Sequence, residues 1–202
     1  MSEAFKTKKG PGIVERNTGE TQIKLNLNIN GEGKYQGSCG IGFFDHMLTL
    51  FCRHSLFDCS LQMTGDLAVD GHHTIEDLGL VLGQALRGAV GNKEGISRYG
   101  TFFVPMDEAL IMVSLDLSGR PYLVYHIGPL PNKVGDFDTE LVAEFLRALA
   151  FAGGITLHVH KISGTNSHHI IEGIFKALAR ALRLATTKDT QEKGVPSSKG
   201  VL

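Results

Sequence analysis

The chain has 202 residues, of which 42% are hydrophobic, and its formal net charge at pH 7 is −1. This is enough apolar material for one sizeable core, or for two small halves packed on each other. A nearly neutral chain has no overall basic field that would attract nucleic acid or an anionic membrane. No apolar run approaches the ~20 residues that a membrane-spanning helix needs. We therefore expect neither nucleic-acid nor membrane partners.

Cysteine use and the N-terminus both favour a cytoplasmic protein. The cysteines Cys39, Cys52 and Cys59 are odd in number and have no CxxC spacing. This pattern is typical of free thiols in a reducing cytosol. Residues 1–10 are polar and lysine-rich with no apolar stretch behind them, which is unlike a secretory signal.

The predicted elements of the first part of the chain come from apolar periodicity. Alternation at period two predicts a half-buried strand, and spacing at 3.6 residues predicts a helix. In chain order, they are a strand over 13–29, a short returning strand over 34–38, a helix over 43–54, a strand over 60–68 and a helix from about 73 to 90.

The second part of the chain repeats this order. Strands are predicted over 101–104, 110–117 and 122–126, followed by a helix over 138–151, a strand over 155–161 and a helix over 169–184. The polar tail over 187–202 contains Gly194 and Pro196, which is typical of a loop or an arm.

An internal sequence repeat supports a duplicated fold. The segment 71–76 matches 167–172 at an offset of 96 residues, and the same offset aligns 85–86 with 181–182. We interpret the fold as α+β, with two pseudo-equivalent ββαβα halves whose helices cover one side of their sheets. The predicted organisation is a first half over 1–94, a second half over 95–186 and a C-terminal arm over 187–202.

The repeated segment carries a His-His-x-x-Glu motif. Successive residues of a helix are about 100° apart, and residues four apart share a face. His72 and Glu76 therefore lie on one face, and His73 points away from them. One motif thus offers imidazoles in two directions, which suits two metal ions better than one. The second motif consists of His168, His169 and Glu172.

The composition of the duplicated motif indicates the kind of metal. A single His-His-x-x-Glu segment is usually structural or exposed, but two in register favour metal binding. Imidazole and carboxylate ligands without thiolate favour octahedral Mn²⁺ or Fe²⁺ over a structural tetrahedral Zn²⁺. The absence of an HExxH segment counts against a zincin-type protease.

Further ligands are expected outside the two motifs. His46 and Glu144 each lie on the first predicted helix of their half, at nearly equivalent distances before the motif, and are candidate ligands. His158 and His160 share one face of an alternating strand. For this second pair, packing or hydrogen bonding is favoured over metal ligation.

Cations mark the places where the repeat is broken. Lys176 follows His169 by seven residues and so lies within about 20° of it on the helix. Its counterpart in the first half is the apolar Leu80. Arg98, Arg120 and Lys199 also have no counterpart, although a solvated surface cation is the ordinary interpretation of each.

Several sequence blocks resemble imidazoleglycerol-phosphate dehydratase of histidine biosynthesis. They are Phe44-Asp45-His46-Met47-Leu48, Gly71-His72-His73-Thr74-Ile75-Glu76-Asp77, Ser118-Gly119-Arg120-Pro121, His168-His169-Ile170-Ile171-Glu172 and Pro196-Ser197-Ser198-Lys199-Gly200. The blocks occur in the family's order from roughly Arg16 onward. The resemblance implies a duplicated α+β half-domain, two Mn²⁺ ions per active site and an assembly of 24 subunits with active sites between neighbours.

The resemblance also implies roles for individual residues. The implied metal ligands are His46, His72, His73, Glu76, His168, His169 and Glu172. Many members have histidine where this chain has Glu144, and we keep this carboxylate as an eighth ligand. Arg98, Arg120, Lys176, Ser198 and Lys199 fall around the substrate phosphate.

The implied reaction is loss of water from imidazole glycerol phosphate to give imidazole acetol phosphate. The proton to be removed lies on an unactivated carbon, so the metals act as Lewis acids and as a template for the imidazole ring. The family places Glu20 at the substrate, and we assign it as the general base. Glu172 is the second candidate catalytic carboxylate, although its primary expected role is ligation.

Two other functional classes remain open from the sequence. A binuclear metallohydrolase acting on a phosphate ester would use the same ligands, but it would release inorganic phosphate instead of a ketone. A non-catalytic metal-binding oligomer would have no use for Lys176, Arg98 and Lys199 together.

Overall fold

The computed structural model describes residues 12–200, and the polar N-terminus over 1–10 lies outside them. Its strands are β1 (Ile13–Asn17), β2 (Thr21–Asn28), β3 (Tyr35–Gln36), β4 (Asp58–Gly65), β5 (Tyr99–Met106), β6 (Ala109–Asp116), β7 (Tyr122–His126), β8 (Lys133–Val134), β9 (Phe137–Asp138) and β10 (Thr156–Ser163). Its helices are α1 (Gly42–Ser55), α2 (His72–Val90), α3 (Leu141–Gly153) and α4 (Ser167–Thr186).

Two four-stranded sheets have the same topology. Their strand orders are β1-β2-β4-β3 and β5-β6-β10-β7. In both sheets the last strand runs parallel to its neighbour and the other pairs are antiparallel. The predicted α+β class with an internal duplication is therefore confirmed.

The prediction of a single strand over 13–29 is wrong, because this segment forms a hairpin of β1 and β2. The Thr18 hydroxyl accepts hydrogen bonds from the backbone N–H groups of Glu20 and Thr21, at 3.1 and 2.9 Å. A threonine side chain that closes a turn in this way ends one strand and starts the next. The first half consequently has three strands before α1, one more than predicted.

Two further segments differ from the predicted elements. The expected strand over 34–38 is reduced to β3, which runs parallel to β4. The helix expected from 138 begins at Leu141, because Asp138 pairs with Lys133 in the unpredicted β8–β9 hairpin. In both places, strand pairing overrides the local pattern, with the distant β4 for β3 and within a short hairpin for β8 and β9.

All four helices lie between the two sheets. The closest helix pairs are α2 with α3 and α1 with α4, so each pair joins the two halves. The buried side chains of both sheets and all four helices form a single hydrophobic cluster. The two halves therefore share one core, and the predicted boundary at 94/95 falls in the loop between α2 and β5.

None of the helices within residues 12–200 is both long and apolar enough to cross a membrane.

The tail after α4 folds back against the start of the second half. Backbone hydrogen bonds join Gly95 to Gly194 and Ser97 to Thr187, at 2.7 and 2.9 Å. Ile96 also forms an isolated bridge with Lys188. The predicted arm is thus attached to its own chain over much of its described length.

The contact between α2 and α3 depends on small residues. A Cβ atom added at Gly83 would lie 2.6 Å from the carbonyl oxygen of Leu149 and 2.8 Å from the amide nitrogen of Gly153. Because both neighbours are backbone atoms, the helices would have to separate.

We expect Gly83→Ala to lower the free energy of unfolding by about 1–3 kcal/mol through overpacking, measured as a lower Tm. Gly42→Ala is the control, since its added Cβ has no neighbour within 4 Å. Equal melting temperatures for the two variants would contradict this packing argument.

Candidate active site

The second His-His-x-x-Glu motif lies in the first turns of α4. The Asn166 side chain caps this helix by accepting hydrogen bonds from the backbone N–H groups of His168 and His169, at 2.9 and 3.3 Å. Asparagine is one of the residues that best satisfies the free N–H groups at a helix start. The cap therefore fixes the backbone from which the imidazoles of His168 and His169 project.

His46, His168 and Glu172 form a three-residue cluster where α1 meets α4. The Glu172 carboxylate lies 3.5 Å from His46 Nε2 and 3.2 Å from His168 Nε2. Their potential ligand atoms all lie within 4.8 Å of one another, and no other group of three His, Cys, Asp or Glu residues in the described range is this compact. The ring of Phe44 packs on that of Phe175 at 5.4 Å, which holds the two helices together beneath the cluster. The cluster thus joins α1 of the first half to the second motif within a single chain, a pairing that the sequence did not predict.

Lys176 also belongs to this cluster. Its Nζ atom lies 2.6 Å from Glu172 Oε1, one helical turn away. Burial would raise the pKa of the Glu172 carboxyl, whose side chain is only 9% exposed, but the hydrogen bond and charge of Lys176, together with His168 and His46, hold it below its ordinary value. The carboxylate is therefore anionic, as a metal ligand must be.

His169 points away from this cluster and contacts carboxylates that the motif did not predict. Its Nδ1 atom lies 2.8 Å from Glu108 Oε2, and its Nε2 atom lies 3.7 Å from Asp107 Oδ2. The hydrogen bond with His169 lowers the pKa of Glu108 to about 2, and the same bond raises the pKa of the His169 imidazole. A carboxylate on Nδ1 leaves Nε2 available to a metal.

His73 in the first half has an equivalent environment. Its Nδ1 atom lies 2.9 Å from Asp66 Oδ2, and its Nε2 atom lies 3.7 Å from Glu20 Oε1. The hydrogen bond with Asp66 raises the pKa of His73. Both second-position histidines therefore contact two carboxylates each. Glu20 directly precedes β2 as Glu108 directly precedes β6, a positional match that could have revealed Glu108 from the repeat.

A buried carboxylate holds the Glu20 turn against α2. Asp77 accepts hydrogen bonds from Thr21 Oγ1 at 2.5 Å and from Arg16 Nε at 2.9 Å. Asp77 adjoins Glu76 and Thr21 adjoins Glu20, so this contact fixes the turn relative to the first motif. The Glu20 side chain itself remains 54% exposed.

The remaining predicted ligands of the first half are less closely grouped. His72 and Glu76 are half-buried at the start of α2, and the ring of His72 lies 6.2 Å from that of His73. Glu144 lies in the first turn of α3 and forms an ion pair with Arg147. The structure thus does not gather Glu144 with the first motif as closely as it gathers His46 with the second.

Arg98 and Arg120 lie in a separate cationic group near the tail. The Arg98 guanidinium donates to both carboxylate oxygens of Asp116, at 2.7 and 3.1 Å, and to the carbonyl oxygen of Pro196 at 2.7 Å. Arg120 Nη2 lies 3.8 Å from the same carboxylate and is 71% exposed. Ser198 and Lys199 follow Pro196 and are exposed.

This cationic group lies far from the histidines of the second motif in its own chain. Asp116 ends β6, and Glu108, the partner of His169, directly precedes that strand. Eight residues of strand separate the two ends, a distance of about 26 Å at ~3.3 Å per residue. The single chain therefore does not bring Arg98, Arg120 and the tail to the histidine cluster, whereas Lys176 is already there.

Comparison with known proteins shows the family to which the chain belongs. A model of the imidazoleglycerol-phosphate dehydratase family matches residues 39–182. The chain is 59% identical over 189 residues to the imidazoleglycerol-phosphate dehydratase of Clostridium botulinum, covering 94% of this chain and 96% of that protein. It is 58% identical over 189 residues to the enzyme of the same name from Acetivibrio thermocellus, with coverage of 94% and 97%.

Solved structures of proteins with this name have the same fold. The crystal structure from Staphylococcus aureus superimposes with a TM-score of 0.79 at 41% identity, covering 87% of this chain and 98% of that one. The structure from Pyrococcus furiosus, in complex with (S)-C348, superimposes with a TM-score of 0.79 at 38% identity, covering 94% and 100%. On the family match, the sequence identity and the shared fold, the chain belongs to the imidazoleglycerol-phosphate dehydratase family.

Proposed function

We propose that the chain converts imidazole glycerol phosphate to imidazole acetol phosphate in histidine biosynthesis. Family membership makes it a hydro-lyase, an enzyme that eliminates water. The observation that carries the specific reaction is the pair of equivalent histidine sites, one in each half, each flanked by carboxylates. Such a paired arrangement suits a substrate whose imidazole ring presents two nitrogens.

The donor atoms fit a centre of two divalent ions. Neutral imidazoles and anionic carboxylates are the ligand types that Mn²⁺ accepts, and no thiolate is present in either cluster. The ligands we propose are His46, His72, His73, Glu76, Glu144, His168, His169 and Glu172. Bound Mn²⁺ would supply Lewis-acid polarisation and a template for the imidazole ring.

Glu20 is the proposed base, and its position supports this role. Its carboxylate is more than half exposed and lies beside His73 without a hydrogen bond to it, so it is free to accept a proton. Glu20 takes the proton from carbon and the hydroxyl beside the ring leaves as hydroxide, and this proton and hydroxide together make up the water that is lost. The resulting enol tautomerises to the ketone. The hydrogen bonds from Thr21 and Arg16 to Asp77 keep this base in position relative to His73.

Cationic side chains are proposed to bind the substrate phosphate. These are Arg98, Arg120, Lys176 and Lys199, together with the hydroxyl of Ser198. Arginine guanidinium groups and lysine ammonium groups form charge-assisted hydrogen bonds with phosphate oxygens. A binuclear metallohydrolase could use the same phosphate contacts, and it is distinguished by release of inorganic phosphate instead of a ketone.

The assembly is part of the proposal. Within one chain, about 26 Å along β6 separates the cationic group from His169. A second copy of the chain could place its cations beside these histidines. We propose a homo-oligomer of 24 subunits with active sites shared between neighbours. We place it in the cytoplasm, which agrees with three cysteines that are all free thiols.

Replacing the base should separate catalysis from binding. Glu20→Gln keeps the size of the side chain but cannot accept a proton at neutral pH. We expect it to retain Mn²⁺ and substrate binding while kcat falls ~10²–10⁴-fold, measured as ketone formed from imidazole glycerol phosphate. Glu172→Gln should instead lose metal along with activity, because it removes an anionic ligand. Near-normal turnover by Glu20→Gln would exclude it as the base, and release of phosphate by the parent enzyme would favour the hydrolase.

Replacing the carboxylate that contacts Nδ1 of His73 or His169 should weaken metal binding. Glu108→Gln and Asp66→Asn replace the anionic acceptors on His169 and His73 with weaker neutral amide oxygens, and changes to such partners typically cost roughly 10–100-fold in metal affinity. We expect weaker Mn²⁺ binding in isothermal titration calorimetry for both variants. Glu15→Gln, an exposed carboxylate on β1, should leave the affinity unchanged. Parental affinity in both test variants would show that these carboxylates do not support ligation.

Shared active sites predict complementation between inactive variants. One variant chain carries Glu172→Gln, which disables the histidine cluster. The other is a double variant with Arg120→Ala and Lys199→Ala, which disables the cationic group. Co-expressed, these chains should regain dehydratase activity, because hybrid assemblies contain sites with both groups intact. The control pair is Glu172→Gln with His46→Ala, which alter the same cluster and should not complement. Absence of recovery in the test pair, with confirmed hybrid assemblies, would contradict sharing.

A further inference from the structure

Three histidines lie together outside the proposed active site. His158 and His160 alternate on β10 with Leu157 and Val159, which are fully buried against the helices. Both imidazoles are therefore on the outer face of the second sheet. The sheet itself lies between them and the helix layer that carries His168 and the other proposed ligands.

The strand register adds His126 to the same face. His160 pairs directly with His126 of the parallel strand β7. The rings of His126 and His160 are 4.9 Å apart and nearly perpendicular, and those of His158 and His160 are 6.2 Å apart and nearly parallel. We call His126, His158 and His160 the outer histidine triad.

From this arrangement we propose that the outer histidine triad is a second metal site, which takes a first-row divalent cation of the imidazole-preferring class, such as Ni²⁺ or Zn²⁺. Two imidazoles two residues apart on one strand, with a third on the adjacent strand, offer three nitrogens to a single ion. This proposal does not depend on the catalytic function.

The residues paired with the triad carry no positive charge, and Asp116, two residues along β6 from Ser114, neutralises the nearby Arg98. The triad's neighbours in the strand register are Ser114 and Val124 beside His158, and Met112 beside His160. None of these side chains is positively charged, and the first exposed cation along the sheet, Arg120, lies beside Thr156, two residues before His158. His126 is exposed and the other two are half-buried. Rotation of exposed side chains is fast, so the rings can turn to bring their nitrogens together around an ion.

The duplicated fold shows that these histidines are not required by the architecture. The positions in the first sheet that correspond to His158 and His160 are Ser60 and Gln62 on β4. Lys24 on β2 stands where the second sheet has Met112. The first sheet keeps the same strand order with no imidazole at these positions and a cation beside them. The triad is therefore a feature of this sequence in the second half alone.

Ni²⁺ binding to the full-length protein tests the proposal. Equilibrium dialysis should show that His160→Ala and His126→Gln each lose one Ni²⁺ per chain, or bind it at least about tenfold more weakly. His46→Ala with His168→Ala should keep that ion while losing binding at the proposed catalytic centre. Gln62→Ala, the equivalent outer-face change in the first sheet, should match the parent.

Mn²⁺ binding and dehydratase activity distinguish loss of a site from loss of the fold. Both should be retained in His126→Gln, whose side chain is exposed. If the triad variants bind as much Ni²⁺ as the parent, with the same Kd, the proposal is overturned. It is also overturned if the catalytic-cluster variant loses all Ni²⁺ binding, because every bound ion would then belong to the other site.

Discussion

Glu172 places a carboxylate in the contact between α1 and α4, where its side chain is only 9% exposed. An unpaired buried charge is costly, so the carboxylate needs partners from the surrounding elements. Lys176 comes from the same helix, and His46 comes from α1. This one group therefore helps to fix the mutual position of two helices and brings together three of the proposed metal ligands. The aromatic packing of Phe44 on Phe175 supports the same contact from within the core.

The duplication explains why the chemistry occurs twice and why the two sites differ. Each half starts its last helix with two histidines and supplies a carboxylate from the loop before its second strand, Glu20 in one half and Glu108 in the other. The symmetry is incomplete because Leu80 stands where the other half has Lys176. Glu20, the proposed base, has no hydrogen bond to His73, whereas Glu108 is hydrogen-bonded to His169. Equivalent backbones thus support unequal roles, as expected when function is set by side chains rather than by fold.

The cationic group is held in place by contacts within its own chain. Arg98 binds Asp116 and the Pro196 carbonyl, and this attaches the tail to the end of β6. The tail is consequently presented at a defined place on the surface, with Ser198 and Lys199 exposed. A surface segment ordered in this way loses less conformational entropy on binding than a disordered one would. This arrangement suits a group that acts in the site of a neighbouring copy.

Local periodicity in the sequence determined the α+β class, the duplication and the placement of each motif at a helix start, because spacing decides which residues share a face. It also identified Lys176, since seven residues are nearly two helical turns. The pairs of Glu108 with His169 and Arg98 with Pro196 are 61 and 98 residues apart, and only the tertiary structure decided them. The same holds for the split of the first strand into β1 and β2 and for the late start of α3, where side-chain turns and strand pairing overrode the pattern. Periodicity constrains neighbours within one element, whereas contacts between elements depend on how those elements pack.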